Sequence, residues 1–251
     1  MAVASIEHTD VRRMLLAIRA YAEGAMGLCL YSAALVDRSD DKDDLALLEL
    51  LTPVAKTFPS EYGLKANDLA IQIHGGYGYT RDFDVEQLYR DNRLNPIHEG
   101  TTGIQALDLL GRKILRGGNG MQVLAARVIH TCENADTIVE LSSVADALRA
   151  AMAQVQRTID AVRSHATVRQ LDNAAQFQTA FGLVVVAWIW LDQAVAAHAL
   201  PQGSPVNDRL RAGKTTTCRY FFTSELPMSA PLLAQVASGC DVTQTADPAL
   251  F

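Results

Sequence analysis

The sequence predicts an all-α fold, and three observations carry that expectation. Apolar residues recur at intervals of three and four through most of the 251 residues. No run shows the clean period-two alternation of a half-buried strand. Glycine clusters break the helical pattern at Gly75–Gly76 and again across Arg116–Gly120.

The first predicted helix covers Val11 to Leu35, with Val11, Met14, Leu15, Ile18, Ala22, Ala25, Cys29 and Ala33 as one buried stripe. Thr9 is placed to cap it, Asp10 suits the positive end of its dipole, and Arg12, Arg19 and Glu23 mark a wetted face. The run Asp37–Asp44 reads as a solvated loop that feeds acidic residues into the first turn of a helix over Leu45–Phe58. It lacks the glycine and the terminal glutamate of a calcium loop, so it is assigned no chemistry.

Pro59 is expected to open a further helix through Leu64, Leu69, Ile71 and Ile73, which Gly75 and Gly76 stop. Two adjacent glycines permit positive φ and close backbone approach, which suits both a helix end and a turn that cradles a ligand. A short helix near Val85–Arg93 ends ahead of Pro96. From Glu99 a helix with Ile104, Leu107, Leu110, Ile114 and Leu115 on one side is expected to run to Arg116.

Three glycines within Gly117–Gly120 cannot sustain a helix, so the chain divides there into residues 1–116 and 121–251. Helical patterns follow at about Met121–Asn134, Asp136–Arg163, Thr167–Leu200, Pro205–Ser224 and Pro227–Ser238. His130, His165 and His198 lack the spacing of a helical metal pair and read as structural, and no metal is expected. Trp188 and Trp190 read as core.

At 49% apolar and 20% charged, the chain has enough apolar material for one large core or two modest ones. A net charge of −6 argues against a nucleic-acid partner, which needs clustered Lys and Arg. The N-terminal residues lack the order of a signal peptide, and the apolar run Phe181–Leu191 is too short to cross a bilayer, so a cytoplasmic protein with no membrane partner is expected. Cys29, Cys132, Cys218 and Cys240 have no metal or disulfide spacing and read as reduced and mostly buried.

The segment with chemical content is Gln72–Gln105. Glu99 follows Pro96-Ile97-His98 and precedes Gly100, where the chain approaches a ligand closely and backbone N–H groups are available for an anionic oxygen. A carboxylate beside such donors is what α-proton abstraction next to a carbonyl requires, because negative charge builds on that oxygen as the proton leaves. A glutamate in the first turn of a helix is equally a common dipole partner, and spacing alone does not choose between the two.

The motif order does choose. Gln72, Gly75, Gly76, Gly78 and Tyr79, then Arg90 and Asp91, then His98, Glu99, Gly100 and Thr101 together resemble the C-terminal domain of the acyl-CoA dehydrogenase family. The flanks HTDVRRMLL and GIQALDLLGRKIL are similar to a subgroup with an extra C-terminal helical domain, which the helices after Gly120 resemble. The resemblance implies an incomplete helical bundle of that family over residues 1–116, followed by the extra helical domain.

By that resemblance Glu99 is the base that removes the α-proton of an acyl-CoA, while the β-hydride passes to FAD and electrons leave to an electron-transfer flavoprotein. The resemblance puts Glu99 and Gly100 against the thioester. It puts Gln72, Gly75 and Gly76 on the FAD of a neighbouring subunit, and Thr101 on the dinucleotide beside the base. His98 stands where many relatives have Tyr, as a pocket wall or as a group that tunes the base; Gly103 stands where they have Gln.

The family's N-terminal helical and middle β-domains have no counterpart in these residues, nor does the arginine-Phe-Gly of its early bundle. The chain is therefore expected to need a homo-oligomer or another chain that supplies those domains, and to hold FAD weakly or not at all by itself. The alternative is an inactive truncated paralogue acting as a helical interaction or scaffold protein.

Overall fold

The computed structural model describes residues 4–250, and every regular element among them is helical. The reading of the first three residues as no part of a leader lies outside the described residues. The elements in order are α1 (Thr9–Val36), α2 (Lys42–His74), α3 (Val85–Asn92), α4 (Thr102–Leu107), α5 (Gly120–Asp136), α6 (Ser142–Ser164), α7 (Ala174–His198), α8 (Pro205–Tyr220), α9 (Ser229–Ser238) and α10 (Val242–Thr245). Helix α4 runs straight on as a wider π-helical segment, Asp108–Leu115.

The centre of the molecule is α7, buried without a break from Ala180 to Leu191. A helix apolar all round is stable only when covered on every side, and α1, α2, α4, α5, α6, α8 and α9 all pack against it. Its few polar side chains are tied to those neighbours. Trp188 Nε1 donates to Thr131 Oγ1 on α5 (2.9 Å), and Gln178 Nε2 donates to Thr57 Oγ1 (2.6 Å) and to the Pro53 carbonyl on α2 (3.0 Å). One continuous apolar core therefore crosses Gly120.

Both α7 and α1 are long and apolar enough by length and composition to cross a bilayer. The sequence run Phe181–Leu191 underestimates α7, whose 25 residues include an apolar window 78% buried within the protein. Burial inside a helical shell identifies α7 as a core helix.

Four local expectations are corrected. Helix α2 passes through Pro53 and Pro59 without ending, because its inner face from Leu47 to Tyr62 is buried against α1 and α7. The buried face of α1 is Met14, Ala17, Tyr21, Gly24, Leu28 and Leu35; Leu15, Ala22, Cys29 and Ala33 of the expected stripe are exposed. The residue before α1 is His8, and Thr9 makes no cap. Glu23 is covered by α8, where Lys214 Nζ meets it at 2.8 Å.

The aspartate run holds more structure than a solvated loop. Asp41 caps α2 through the N–H groups of Asp43 and Asp44, and Asp44 is buried between Arg38 (2.7 Å) and Arg127 of α5 (2.8 Å). All four cysteines are free, with Cys132 and Cys218 buried but Cys29 and Cys240 exposed. His198 and His165 bond to neighbouring elements, at Thr215 on α8 and at the Ala237 carbonyl on α9, and His130 lies against Asn134 within α5.

Candidate functional site

Helix α2 supports both halves of the motif, one at its C-terminal end and one against its middle. At its C-terminal end Gly75 takes φ 62°, which an L side chain resists, and the chain turns sharply through Gly75–Tyr79. A Cβ on Gly75 or Gly76 would meet nothing within 4 Å, so the turn presents bare backbone to the outside, with the exposed Gln72 beside it.

Helix α3 then packs back along α2, and Asn92 Nδ2 donates to Asn67 Oδ1 at 3.0 Å. Arg90 and Asp91 stand in its last turn and line an open groove of about 390 Å³ with Arg81 and Glu86. Asn95 Nδ2 donates to Asn92 Oδ1 (2.6 Å), and Asn95 Oδ1 lies 3.2 Å from His98 Nε2. A chain of amides thus leads from α2 to His98.

Glu99 does not open a helix as the sequence suggests. It occupies a corner two residues ahead of the Thr101 cap of α4, and at φ 52° it is the only non-glycine residue with positive φ among the described residues. Gly100 follows at φ 93°. A left-handed glutamate is uncommon and costs roughly 1–2 kcal/mol, so it persists only where the surroundings impose it.

Those surroundings are polar and specific. Lys56 Nζ donates to the carbonyl oxygens of Gly100 (2.7 Å) and Asn95 (3.0 Å), and Thr102 Oγ1 donates to Glu61 Oε1 at 2.5 Å. Gln105 Nε2 donates to the Glu99 carbonyl at 3.2 Å. The Glu99 side chain is 86% exposed, with His98 Nδ1 3.9 Å from its carboxylate. Among the described residues the backbone N–H groups of Glu99, Gly100 and Thr101 donate to no other backbone group.

The two halves of the motif are held apart. The Glu99 corner is anchored at Lys56 and Glu61, whereas Gln72 stands sixteen residues beyond Lys56 on α2, about 24 Å along the axis at 1.5 Å per residue. Glu99, Gly100 and Thr101 stand together at one corner, and Gln72, Gly75 and Gly76 at the far end of α2.

Sequence reasoning missed Lys56, Glu61 and the asparagine chain. Lys56 contacts main-chain carbonyls 39 and 44 residues away, and no pattern of residue types announces a carbonyl partner. Next to the corner, α2, α4 and α7 enclose a cleft of about 200 Å³ that includes Phe58, Glu61, Tyr62, Lys65, Thr102 and Gln178. Burial pushes the Tyr62 hydroxyl up, and it pushes the Lys65 ammonium, 3.9 Å over the Tyr62 ring, down.

Comparison with known proteins adds the following. The family model described as "Acyl-CoA dehydrogenase, C-terminal domain" matches residues 3–115, and the one described as "Acetyl-CoA dehydrogenase C-terminal like" matches residues 124–247. The chain is 45% identical over 123 residues to 3-methylmercaptopropionyl-CoA dehydrogenase of Ruegeria pomeroyi, covering 47% of this chain and 21% of that one. It is 29% identical over 241 residues to the broad-specificity linear acyl-CoA dehydrogenase FadE5 of Mycobacterium tuberculosis, covering 88% and 39%.

Among solved structures it resembles Caenorhabditis elegans ACDH-11 in complex with C11-CoA, with a TM-score of 0.71 at 21% identity over 90% of this chain and 38% of that one. An acyl-CoA dehydrogenase of Bacillus anthracis complexed with FAD gives a TM-score of 0.54 at 16% identity, covering 96% and 44%. Both structural likenesses speak to the fold. The chain spans about two-fifths or less of the length of these curated relatives.

Proposed function

The chain belongs to the acyl-CoA dehydrogenase family, matching its C-terminal helical domains over residues 3–115 and 124–247, and on that premise we propose that it supplies the base-carrying helical part of an enzyme that dehydrogenates an acyl-CoA at its α and β carbons. The observation that carries this reading is the Glu99 corner: a carboxylate held out on a left-handed backbone, beside N–H groups that donate to no backbone group among the described residues.

In the proposed reaction the Glu99 carboxylate takes the α-proton, so that a carboxyl O–H forms as the α-carbon–hydrogen bond breaks. The N–H of Glu99 donates to the thioester oxygen, where charge gathers as that proton leaves. FAD, when bound, supplies the two-electron acceptor for the β-hydride. Gln72 and the open backbone of Gly75 and Gly76 hold part of a dinucleotide at the far end of α2, and their distance from Glu99 supports service to a neighbouring subunit's cofactor. Thr101 caps α4 beside the base and borders the dinucleotide there.

The rest of the pocket comes from polypeptide beyond residues 1–251, in the same assembly, and electrons leave to an electron-transfer flavoprotein in the cytoplasm. Closure by that polypeptide takes the Glu99 carboxylate, exposed in this chain, out of water. The test is to assemble the chain with polypeptide carrying the remaining domains and to measure bound FAD and acyl-CoA oxidation. Glu99→Gln is expected to abolish turnover with flavin retained. Turnover that survives Glu99→Gln, or failure of every such assembly to bind flavin, overturns the reading.

A further inference from the structure

The corner that carries Glu99 is held from one side by a single ammonium group. Lys56 projects from the middle of α2, and its Nζ donates to two main-chain carbonyls that bracket the corner, Asn95 before it and Gly100 after it. Among the described residues Lys56 makes no ion pair, so these carbonyls are its partners. The residues between them include the left-handed Glu99 and the buried Pro96, whose carbonyl accepts the Thr102 N–H. A second anchor, Thr102 to Glu61, fixes where α4 begins, and Glu61 lies on α2 five residues from Lys56.

We propose that Lys56 is the positioning residue of the base: by drawing the Asn95 and Gly100 carbonyls onto one cation, it holds Glu99 in the left-handed conformation and aims its carboxylate outward. The inference rests on the reading of Glu99 as the base. Its structural part stands or falls separately. A lysine suits the task because an ammonium offers three donors on a flexible stem and accepts divergent carbonyls without demanding planar geometry.

Removal of the clamp frees the corner. With its two ends released, Glu99 relaxes toward negative φ, and the carboxylate moves away from the line of the free N–H groups. Displacement of a reacting group by about 1 Å costs on the order of 10²-fold in rate, while contacts to the remainder of a substrate are unaffected. The expected signature is therefore a fall in kcat with little change in KM.

The experiment has two arms. In the isotope-labelled chain, the three-bond coupling between the Glu99 α proton and the carbonyl carbon of His98, which is large only at positive φ, is measured in wild type, Lys56→Met, Lys56→Gln and Lys56→Arg, with the indole signals of Trp188 and Trp190 reporting whether the core is intact. A positive-φ coupling in wild type that is lost in Met and Gln, and kept in Arg, is expected. A wild-type coupling that reports negative φ, or a Met or Gln variant with an intact core and an unchanged coupling, overturns the proposal. If neither neutral variant folds, exchange of the Lys56 ammonium protons in wild type decides: slow exchange supports the clamp, and exchange as fast as an exposed lysine overturns it.

In the assembled enzyme, Lys56→Met is expected to lower kcat about 10²-fold with KM for acyl-CoA changed less than about twofold, and Lys56→Arg to restore most of it. Unchanged kcat in Lys56→Met overturns the catalytic consequence. Turnover that survives Glu99→Gln instead removes the base reading, and leaves the coupling result to decide the clamp.

Discussion

The indole N–H of Trp190 donates to the carbonyl oxygen of Ala20 across 3.0 Å, and the ring reaches it by lying against Gly24. A Cβ on Gly24 would stand 2.7 Å from Trp190 Nε1 and 2.8 Å from Val186 Cγ1. The contact joins the first helix of the chain to the core helix of the C-terminal half. Gly24→Ala gains roughly 1 kcal/mol of helix propensity but overpacks a buried seam, at a cost of about 1–3 kcal/mol. A net loss of about 1 kcal/mol is expected in urea denaturation, and a stabilised variant would show that the seam yields.

Asp44 distinguishes one residue of the aspartate run from the others. Its side chain is 6% exposed and pairs with Arg38 and Arg127, whereas Asp37 and Asp40 are exposed. Removing one partner of a buried pair costs about 3–5 kcal/mol, but both arginines reach water and recover part of their hydration. Asp44→Asn is expected to cost about 2 kcal/mol, and Asp37→Asn or Asp40→Asn less than about 0.5 kcal/mol. Equal effects at the three positions would contradict this assignment.

Much of this was legible in the sequence, and what was not has physical causes. The helical class and the break at Gly117–Gly120 followed from periodicity and glycine content, and the order of motif residues led to the family. The buried face of α1 was not legible because the helix is apolar on both sides. Leu15, Met26 and Leu30 are as greasy as Met14 and Leu28, and the packing of α2, α7 and α8 decides which side is covered. Pro59 signals a helix end by its missing N–H, yet tertiary burial of Phe58, Ser60 and Tyr62 carries α2 through it. Residue type does not encode positive φ at a glutamate, so the sequence alone reads the corner at Glu99 as a helix start.

Glu23 gives stability a pH dependence. Burial pushes its carboxyl up, but the Lys214 ammonium and then the Arg19 guanidinium outweigh burial and leave it below its ordinary value of 4.5. The unfolded chain then holds this proton more tightly, so the contribution is complete above about pH 4.5 and is lost as pH falls through the lowered folded value. The side chain is 35% exposed, so solvent screening limits the pair to about 1 kcal/mol. Glu23→Gln is expected to show that deficit near pH 7 and a shrinking one as pH falls below about 4.5. A deficit that persists in acid would place the effect in packing rather than charge.

The exposed side of α1 predicts self-association. Met26 (60% exposed), Leu30 (63%) and Val36 (55%) continue a stripe with Leu15, Ala22, Cys29 and Ala33 along one side of the helix. A contiguous apolar surface of this kind seeks a cover. Sedimentation of the isolated chain is expected to show association that Met26→Glu with Leu30→Glu reduces. A wild-type chain that sediments as a monomer at high concentration would show that the stripe is tolerated in water.

Glu99 is held against its own backbone preference, and that has a measurable consequence. A non-glycine residue in the left-handed region costs roughly 1–2 kcal/mol, whereas two hydrogen bonds from a charged donor contribute about 1.5–3 kcal/mol each, so the Lys56 clamp outweighs the strain and the corner persists. Glycine at position 99 removes the strain but adds unfolded-state entropy of about 0.4–1 kcal/mol. Glu99→Gly is therefore expected to leave the chain more stable by about 0.5 kcal/mol, and Glu99→Ala to change stability by less than that. On an ordinary exposed turn, replacing glutamate by glycine lowers stability. A gain at this position means that the fold would be better off with no β-carbon there, so that folding alone does not account for a non-glycine residue at the corner. A loss in Glu99→Gly, measured by thermal and urea denaturation, would show that the corner is unstrained.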